Sequence, residues 1–396
     1  MQIRTHLNLC LMAAQNLRRY RAKSLAVMIP LIVAMATCSF MMFSRGGFIK
    51  DAETAKSFLP DITVQGLEAG RVAKISLNVK GDIQALPHVK KVIQRVWGYV
   101  PLRIAGEDGT YTLMGLDLDT LIPQEKLPWT LESGSFLLPG DRGKAVLGSG
   151  VASGLNVTAG DQIQINDTLG NKGEFEIVGV LNQTVQIYST DLILVPIQDA
   201  RAFFGYKAGE ASDLLVYTDR PENADKVAWR ISTAFTNTRV MTANALTDLV
   251  KEAFGRRGGT FQMMWLILLI AVLLLVWAQT AHISVDAARE TGILKATGWH
   301  TGEIIEMHMW GSLLLGLSST AVGVLLGFVY ALMGTPGISG YCLGCASIYP
   351  KFPVPVHCDI SSLVLLFALG VVPITAVSAI PAWLSGIIDA DKAIRR

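Results

Sequence analysis

Charge is scarce in this chain of 396 residues, 17% of which are Asp, Glu, Lys or Arg, against about 25% in soluble globular proteins. With a formal net charge of only +2, the chain is neither a disordered polyelectrolyte nor a basic nucleic-acid binder. Recognisable chemistry is scarcer still. No H-E-x-x-H, G-x-S-x-G or dinucleotide fingerprint occurs, and the nearest approach to a phosphate loop, Gly140–Lys144 (GDRGK), lacks the spacing and the Ser/Thr. The six His are scattered. No catalytic residue is assigned, and the chain is not expected to be an enzyme.

What is abundant is apolar. Hydrophobic residues make up 51% of the chain and the mean hydropathy is +0.40. Four stretches reach the roughly 20 residues needed to cross a bilayer: Ser24–Ser44, Phe261–Val285 (interrupted by His282), Met309–Met333 and Ile360–Leu384. Pro30 and Pro373 lie inside two of them, as membrane helices tolerate. Residues 45–258 differ, holding 25 of the 32 acidic and 23 of the 34 basic residues. Alternating runs at Asp61–Gln65, Gln162–Asn166 and Glu174–Val180 predict strands, turn-like clusters fall at Gly106–Gly109 and Leu169–Gly173, and Ile83–Val96 and Ala224–Phe235 read as helices. The expected fold is therefore a polytopic α-helical membrane protein with four transmembrane helices and a large, two-lobed α+β extracytoplasmic domain inserted between helices 1 and 2.

Orientation follows from Lys and Arg near the span ends. Residues 1–23 carry Arg4, Arg18, Arg19, Arg21 and Lys23 with no acid, the 286–306 connection carries Arg289 and Lys295, and the 385–396 tail carries Lys392, Arg395 and Arg396. The connection between spans three and four, 334–359, has only Lys351. The positive-inside rule puts both termini in the cytoplasm and 45–258 outside. The first apolar run is too long for a cleaved signal peptide. Before it, Ile3, Leu7, Leu11, Ala14 and Leu17 recur at steps of four or three, which suits a helix lying in the inner membrane interface better than a bare basic retention signal.

The connection after span two is the most informative stretch. Arg289–Gly298 reads RETGILKATG, a short helix with Ile293 and Leu294 apolar and Glu290 and Lys295 flanking. It is either a polar loop tying two spans together or a compact docking knob for another protein. The stretch resembles the R-E-I-G-I-L-R-A-L-G motif of MacB/LolC/FtsX-type permeases, the type VII ABC transporter family. Further segments resemble that family in the same order: Asn16–Arg19 with Arg21 and Lys23, Ala145–Gly160 (AVLGSGVASGLNVTAG) with Asp161, Phe175–Leu181 (FEIVGVL), and Pro381–Ile394 (PAWLSGIIDADKAI), where Ala390 replaces the usual proline.

The resemblance implies two paired permease chains, a homodimer, each bound to a separate cytoplasmic ATPase that holds the ATP and Mg, so this chain itself needs no cofactor. It makes the span-two to span-three connection a coupling helix, with Arg289, Glu290, Gly292, Ile293, Leu294, Lys295 and Gly298 as ATPase-contact candidates. It divides the outer domain into a split lobe (about 60–115 with 210–250) and an inserted lobe (about 120–208). It implies mechanotransmission in the cell inner membrane, acting on hydrophobic or envelope-associated cargo, as in efflux with periplasmic adaptors or lipoprotein release. The rival is a non-transporting regulator that switches an envelope hydrolase or sensor, as FtsX-like members do. Nearly charge-free spans fit a mechanical lever better than an ion-coupled pump.

Three of the five cysteines, Cys342, Cys345 and Cys358, fall in the outer connection. In an oxidising compartment one disulfide forms among them. The alternative is a soft-metal site in which the three thiolates and His357 suit Zn²⁺ or, without His357, Cu(I). Met41, Met42, Met263 and Met264 add thioethers or simply pack.

Overall fold

The computed structural model describes residues 2–56, 59–104, 107–120, 130–166, 170–182, 189–245, 247–249, 251–252, 263, 266–274, 277, 285–333 and 354–387. The chain begins with helices α1 (Gln2–Arg19) and α2 (Arg21–Lys56). There follow β1 (Ile62–Glu68), β2 (Arg71–Ala73), β3 (Ile75–Ser76), α3 (Asn78–Gln84), β4 (Val89–Ile104), β5 (Glu107–Leu116), β6 (Leu131–Gly134) and β7 (Lys144–Leu147). Next come α4 (Ser149–Leu155), β8 (Gln162–Asn166), β9 (Lys172–Leu181), β10 (Leu192–Pro196), α5 (Ile197–Phe204), β11 (Glu210–Ala211), β12 (Asp213–Thr218), α6 (Ala224–Ala234) and β13 (Thr238–Thr242). The last helices are α7 (Val285–Ala296), α8 (Thr301–Leu332) and α9 (Ile360–Ile387). Two compact units result: Met1–Gly47 with Arg256–Gly334 and Val356–Arg396, and Phe48–Gly255 with Thr335–Pro355.

The first unit is helical. Among the described residues three helices are long and apolar enough to cross a membrane: α2, α8 and residues Ile360–Leu384 of α9. Of the expected second span, the described residues 263, 266–274 and 277 are helical and the remainder lies outside the described residues. Pro30 sits within the unbroken 36-residue α2. Val27, Leu31, Met35 and Phe43 of α2 meet Leu269, Val272, Leu315, Val324, Leu366 and Ile374 in one core. Glycines set the closest approaches. A Cβ on Gly323 of α8 would stand 2.7 Å from Met35 Cβ and 2.8 Å from the Ile32 carbonyl oxygen. Only hydrogen at that position lets α2 and α8 touch along their backbones.

The second unit is built on an 11-stranded sheet in the order β13-β1-β12-β4-β5-β10-β7-β9-β6, with β2 on β1 and β8 on β9. Most neighbours run antiparallel, but β5–β10 and β7–β9 are parallel. The long β4 serves two partners: Val89–Arg95 pairs with β12, and Val96–Ile104 forms a hairpin with β5. One large core gathers Ile62, Val64, Val96, Val100, Leu113, Ile177, Val195 and Leu214; a smaller one joins Leu116, Phe136, Leu137, Val146, Leu192 and Leu194. Helix α6 buries Ala224, Val227 and Ile231, spaced three and four apart. Helix α5 lies so close to β5 that a Cβ on Gly115 would stand 3.0 Å from Ile197 Cα.

The strands expected at 61–65, 162–166 and 174–180 are β1, β8 and β9, and the helix expected at 224–235 is α6. Gly170 turns between β8 and β9 with φ +90°, while Leu169 lies outside the described residues. At the other expected turn, Gly106 lies outside the described residues and β5 has begun by Glu107. The helical reading of Ile83–Val96 is corrected. Helix α3 ends at Gln84 and β4 begins at Val89. Pro87 cannot continue the helix. The β-branched Val89, Val92, Ile93 and Val96 suit a strand flanked on both edges by β12 and β5.

Candidate functional site

The RETGILKATG stretch forms the body and end of α7. Its C-terminus is closed by a left-handed glycine cap: Gly298 takes φ +97°, its N–H donates to the Lys295 carbonyl at 3.0 Å, and Trp299 N–H donates to the Leu294 carbonyl at 3.1 Å. That pair of bonds satisfies carbonyls the helix end would orphan, and it brings Leu294 and Trp299 together as the usual apolar contact across such a cap. The chain then restarts at once. His300 caps α8 in a capping box in which its own N–H donates to Glu303 Oε2 at 2.9 Å. Two well-capped ends four residues apart make the α7–α8 corner a defined turn rather than a slack loop.

The corner is seated on α1. Leu9 and Ala13 of α1 and Met307 of α8 form a buried cluster, with Leu294, Trp299, Met12, Trp310 and Leu314 packed on it. Polar contacts reinforce it: Asn16 Nδ2 reaches Met307 Sδ at 3.8 Å, and Glu306 Oε1 accepts from Trp310 Nε1 at 3.1 Å and faces His6 Nδ1. Thr291 and Gly292 are buried, and α7 also touches α9. Ile293 points the other way and is 50% exposed.

The seven candidates therefore divide. Gly298 shapes the turn, Leu294 anchors it, Gly292 is buried within it, Lys295 is half-buried, and Ile293 is the apolar residue on offer. Arg289 and Glu290 belong to α7, but their side chains lie outside the described residues. Sequence reasoning missed the seat, Leu9, Ala13, Met307 and Trp310. It also missed the capping box, which the H-x-x-E spacing at His300–Glu303 signals.

The expected apolar stripe of α1 meets a different environment. Leu7 and Leu11 are 62% and 54% exposed, whereas Leu9 and Ala13, on the opposite face, are 3% and 2% exposed. At the outer connection Cys342 and Cys345 lie outside the described residues. His357 is exposed and its N–H donates to the Phe43 carbonyl at 3.1 Å. Cys358 is an exposed free thiol whose pKa is pushed up by partial burial and then by the charge of Asp359. Asp359 receives hydrogen bonds from the Ser361 hydroxyl and the Ser362 N–H just where α9 begins, and these hold its carboxyl down to about 2. A raised thiol next to an ionised carboxylate is a poor source of thiolate. Among the described residues no group of three His, Cys, Asp or Glu is arranged to hold a metal ion.

Residues 24–234 match the family of MacB-like periplasmic core domains, and residues 261–389 match the FtsX-like permease C-terminal family. An ABC transporter permease of Methanocaldococcus jannaschii is 25% identical over 342 residues, 81% of this chain and 82% of that protein. The periplasmic region of MacB from Actinobacillus actinomycetemcomitans aligns at 10% identity with a TM-score of 0.36, over 50% of this chain and 95% of that one. The extracellular domain of the ABC-type transporter YknZ from Gram-positive bacteria aligns at 15% identity with a TM-score of 0.34, over 46% and 99%.

Proposed function

Because the chain belongs to the MacB/FtsX family of ABC transporter permeases, we propose that it transmits the motion of a separate cytoplasmic ATPase to its extracytoplasmic domain. In this reading the protein crosses the inner membrane four times with both termini inside. It pairs with a second copy, and it hydrolyses nothing itself. ATP and Mg belong to the partner. Cargo is hydrophobic or envelope-associated, with a periplasmic adaptor or other envelope protein as the outer partner.

The observation that carries the reading is the α7–α8 corner. A coupling element must be stiff enough to pass on a push and must keep an apolar contact free for its driver. Both conditions are met: the corner is capped on both sides and packed on α1, while Ile293 stays exposed. Ile293→Asp tests it in the complex with the partner ATPase. The exposed position tolerates the change, so the chain folds normally while ATPase co-purification and cargo-stimulated ATP hydrolysis fall at least about tenfold, as expected for losing a central apolar anchor. Unchanged co-purification and unchanged hydrolysis would refute the assignment of α7.

A further inference from the structure

We infer that Arg45, with Ser44 and His357, forms a binding site for the phosphate of a phospholipid at the far end of the first apolar span. Ser24–Ser44 carries no charge, and a helix of that length rises about 30 Å, the thickness of a bilayer's hydrocarbon core. Arg45 is therefore the first charge to stand at headgroup level on the side away from Lys23. It is half-buried, and its Nε is shut off from solvent without a hydrogen-bond partner. Ser44, one residue earlier, is 0% exposed, and its Oγ is likewise without a partner. Residues 354–359 cross α2 at this point. His357 N–H donates to the Phe43 carbonyl at 3.1 Å, and the His357 Cβ lies 3.7 Å from where a Cβ on Gly46 would stand. The exposed imidazole of His357 thus starts beside the residue that follows Arg45. The acid of that segment, Asp359, turns its Oδ2 to Ser361 and Ser362 instead.

Buried polar atoms are nearly always bonded, and those of a charged group are the costliest to leave unbonded. The missing group must accept from the Arg45 N–H and the Ser44 O–H, carry negative charge, and arrive from the bilayer. A phosphodiester meets all three conditions, since its free oxygens match the guanidinium fork. Its acyl chains have a path as well. Cys38, Met41 and Met42, seven, four and three residues before Arg45, share its helical face and are half-buried. That apolar row leading to the cation makes the occupant a lipid rather than free phosphate. The inference rests on α2 crossing the membrane and not on the ATPase assignment, and the assay uses this chain alone.

The full-length chain in neutral detergent is immobilised and offered an equimolar mixture of phosphatidylcholine and diacylglycerol with identical acyl chains, and the retained lipids are quantified. Neither lipid has a net charge, so basic residues elsewhere gain no net attraction, and the two differ only in the phosphate-bearing headgroup. Phosphatidylcholine should be retained about tenfold over diacylglycerol, the discrimination expected of charge-assisted hydrogen bonds. Inorganic phosphate should not displace it. Arg45→Gln should abolish the preference. Arg45→Lys, which keeps the charge without the fork, should reduce it several-fold, and Ser44→Ala should reduce it about threefold. Thermal unfolding identifies the folded variants. Equal retention of the two lipids by the native chain, displacement by inorganic phosphate, or an undiminished preference in folded Arg45→Gln or Arg45→Lys would overturn the proposal.

Discussion

Gly298→Ala is the most direct probe of the corner that joins α7 to α8. At φ +97° a Cβ is resisted by its own backbone, since nothing lies within 4 Å of the position it would occupy. The cost is therefore conformational, about 1–2 kcal/mol for an L-residue held in left-handed space. Relief comes by opening the cap, which breaks the bonds from Gly298 to Lys295 and from Trp299 to Leu294. An energy of that size multiplies the open population roughly 5- to 30-fold. Hydrogen–deuterium exchange of the purified full-length chain reads this at the amides of 298 and 299. Both should exchange faster by that factor, while the Ile177 amide, bonded to the Asp161 carbonyl at 2.8 Å, keeps its native rate. Gly298→Asn should give a smaller acceleration, because Asn tolerates the left-handed region. Native exchange rates in Gly298→Ala, or equal effects of Ala and Asn, would refute the argument. In the ATPase complex the Ala variant should couple less well than the Asn variant.

Gly323→Leu should drive α2 from α8 and lower thermal stability in detergent by about 1–3 kcal/mol or more. Gly302→Ala, with open space around its Cβ, should be neutral or slightly stabilising in the same thermal assay. Asp213→Asn should destabilise the β-rich unit by about 3–5 kcal/mol in a denaturant titration. It removes the charge from a fully buried carboxylate that takes 2.9 Å and 2.6 Å bonds from Arg95 and a 2.9 Å bond from Trp97 Nε1. Asp219, faced by His88 Nδ1 at 2.9 Å and Asn223 Nδ2 at 2.9 Å, has its carboxyl held down at about 2. A depressed folded value means its contribution is complete above the ordinary 3.8 and is lost as pH falls through about 2. Acid unfolding of Asp219→Asn should lack that portion of the pH dependence between those two values.

Legibility in the sequence followed the range of the interactions. The apolar runs of α2, α8 and α9 announce themselves because twenty consecutive residues carry the signal locally. Helix α6 was legible from Ala224, Val227 and Ile231 for the same reason. The stretch 83–96 misled because Val89, Val92, Ile93, Val96 and Val100 also fit helical spacing. In β4 the neighbours Val92 and Ile93 are both buried and the neighbours Gln94 and Arg95 both half-buried, so burial comes in adjacent pairs and the alternation that marks a half-exposed strand is missing. At the site, RETGILKATG was visible as a unit and Gly298 as its stop. The seat was not, because Leu9 and Ala13 meet Met307 across about three quarters of the chain. The stretch 145–161 is a fold motif rather than a chemical one: Asn156 and Gly160 take positive φ, and Asp161 Oδ2 accepts from Thr158 N–H at 2.7 Å. The pairing of β5 with β10 likewise joins segments about 80 residues apart, beyond any local pattern.

The uncharged interiors of the helices also determine what the membrane field can do. Each elementary charge moved through the field gains or loses about 2.3 kcal/mol per 100 mV. Residues Ser24–Ser44 of α2, 266–274, Met309–Leu332 of α8 and all of α9 carry no Asp, Glu, Lys or Arg. Tilting or sliding these segments moves no gating charge, so voltage performs no work on them. If the chain is driven by an ATPase as proposed, motion of these segments should leave ATP hydrolysis by the complex at the same rate in energised and depolarised vesicles at equal ATP.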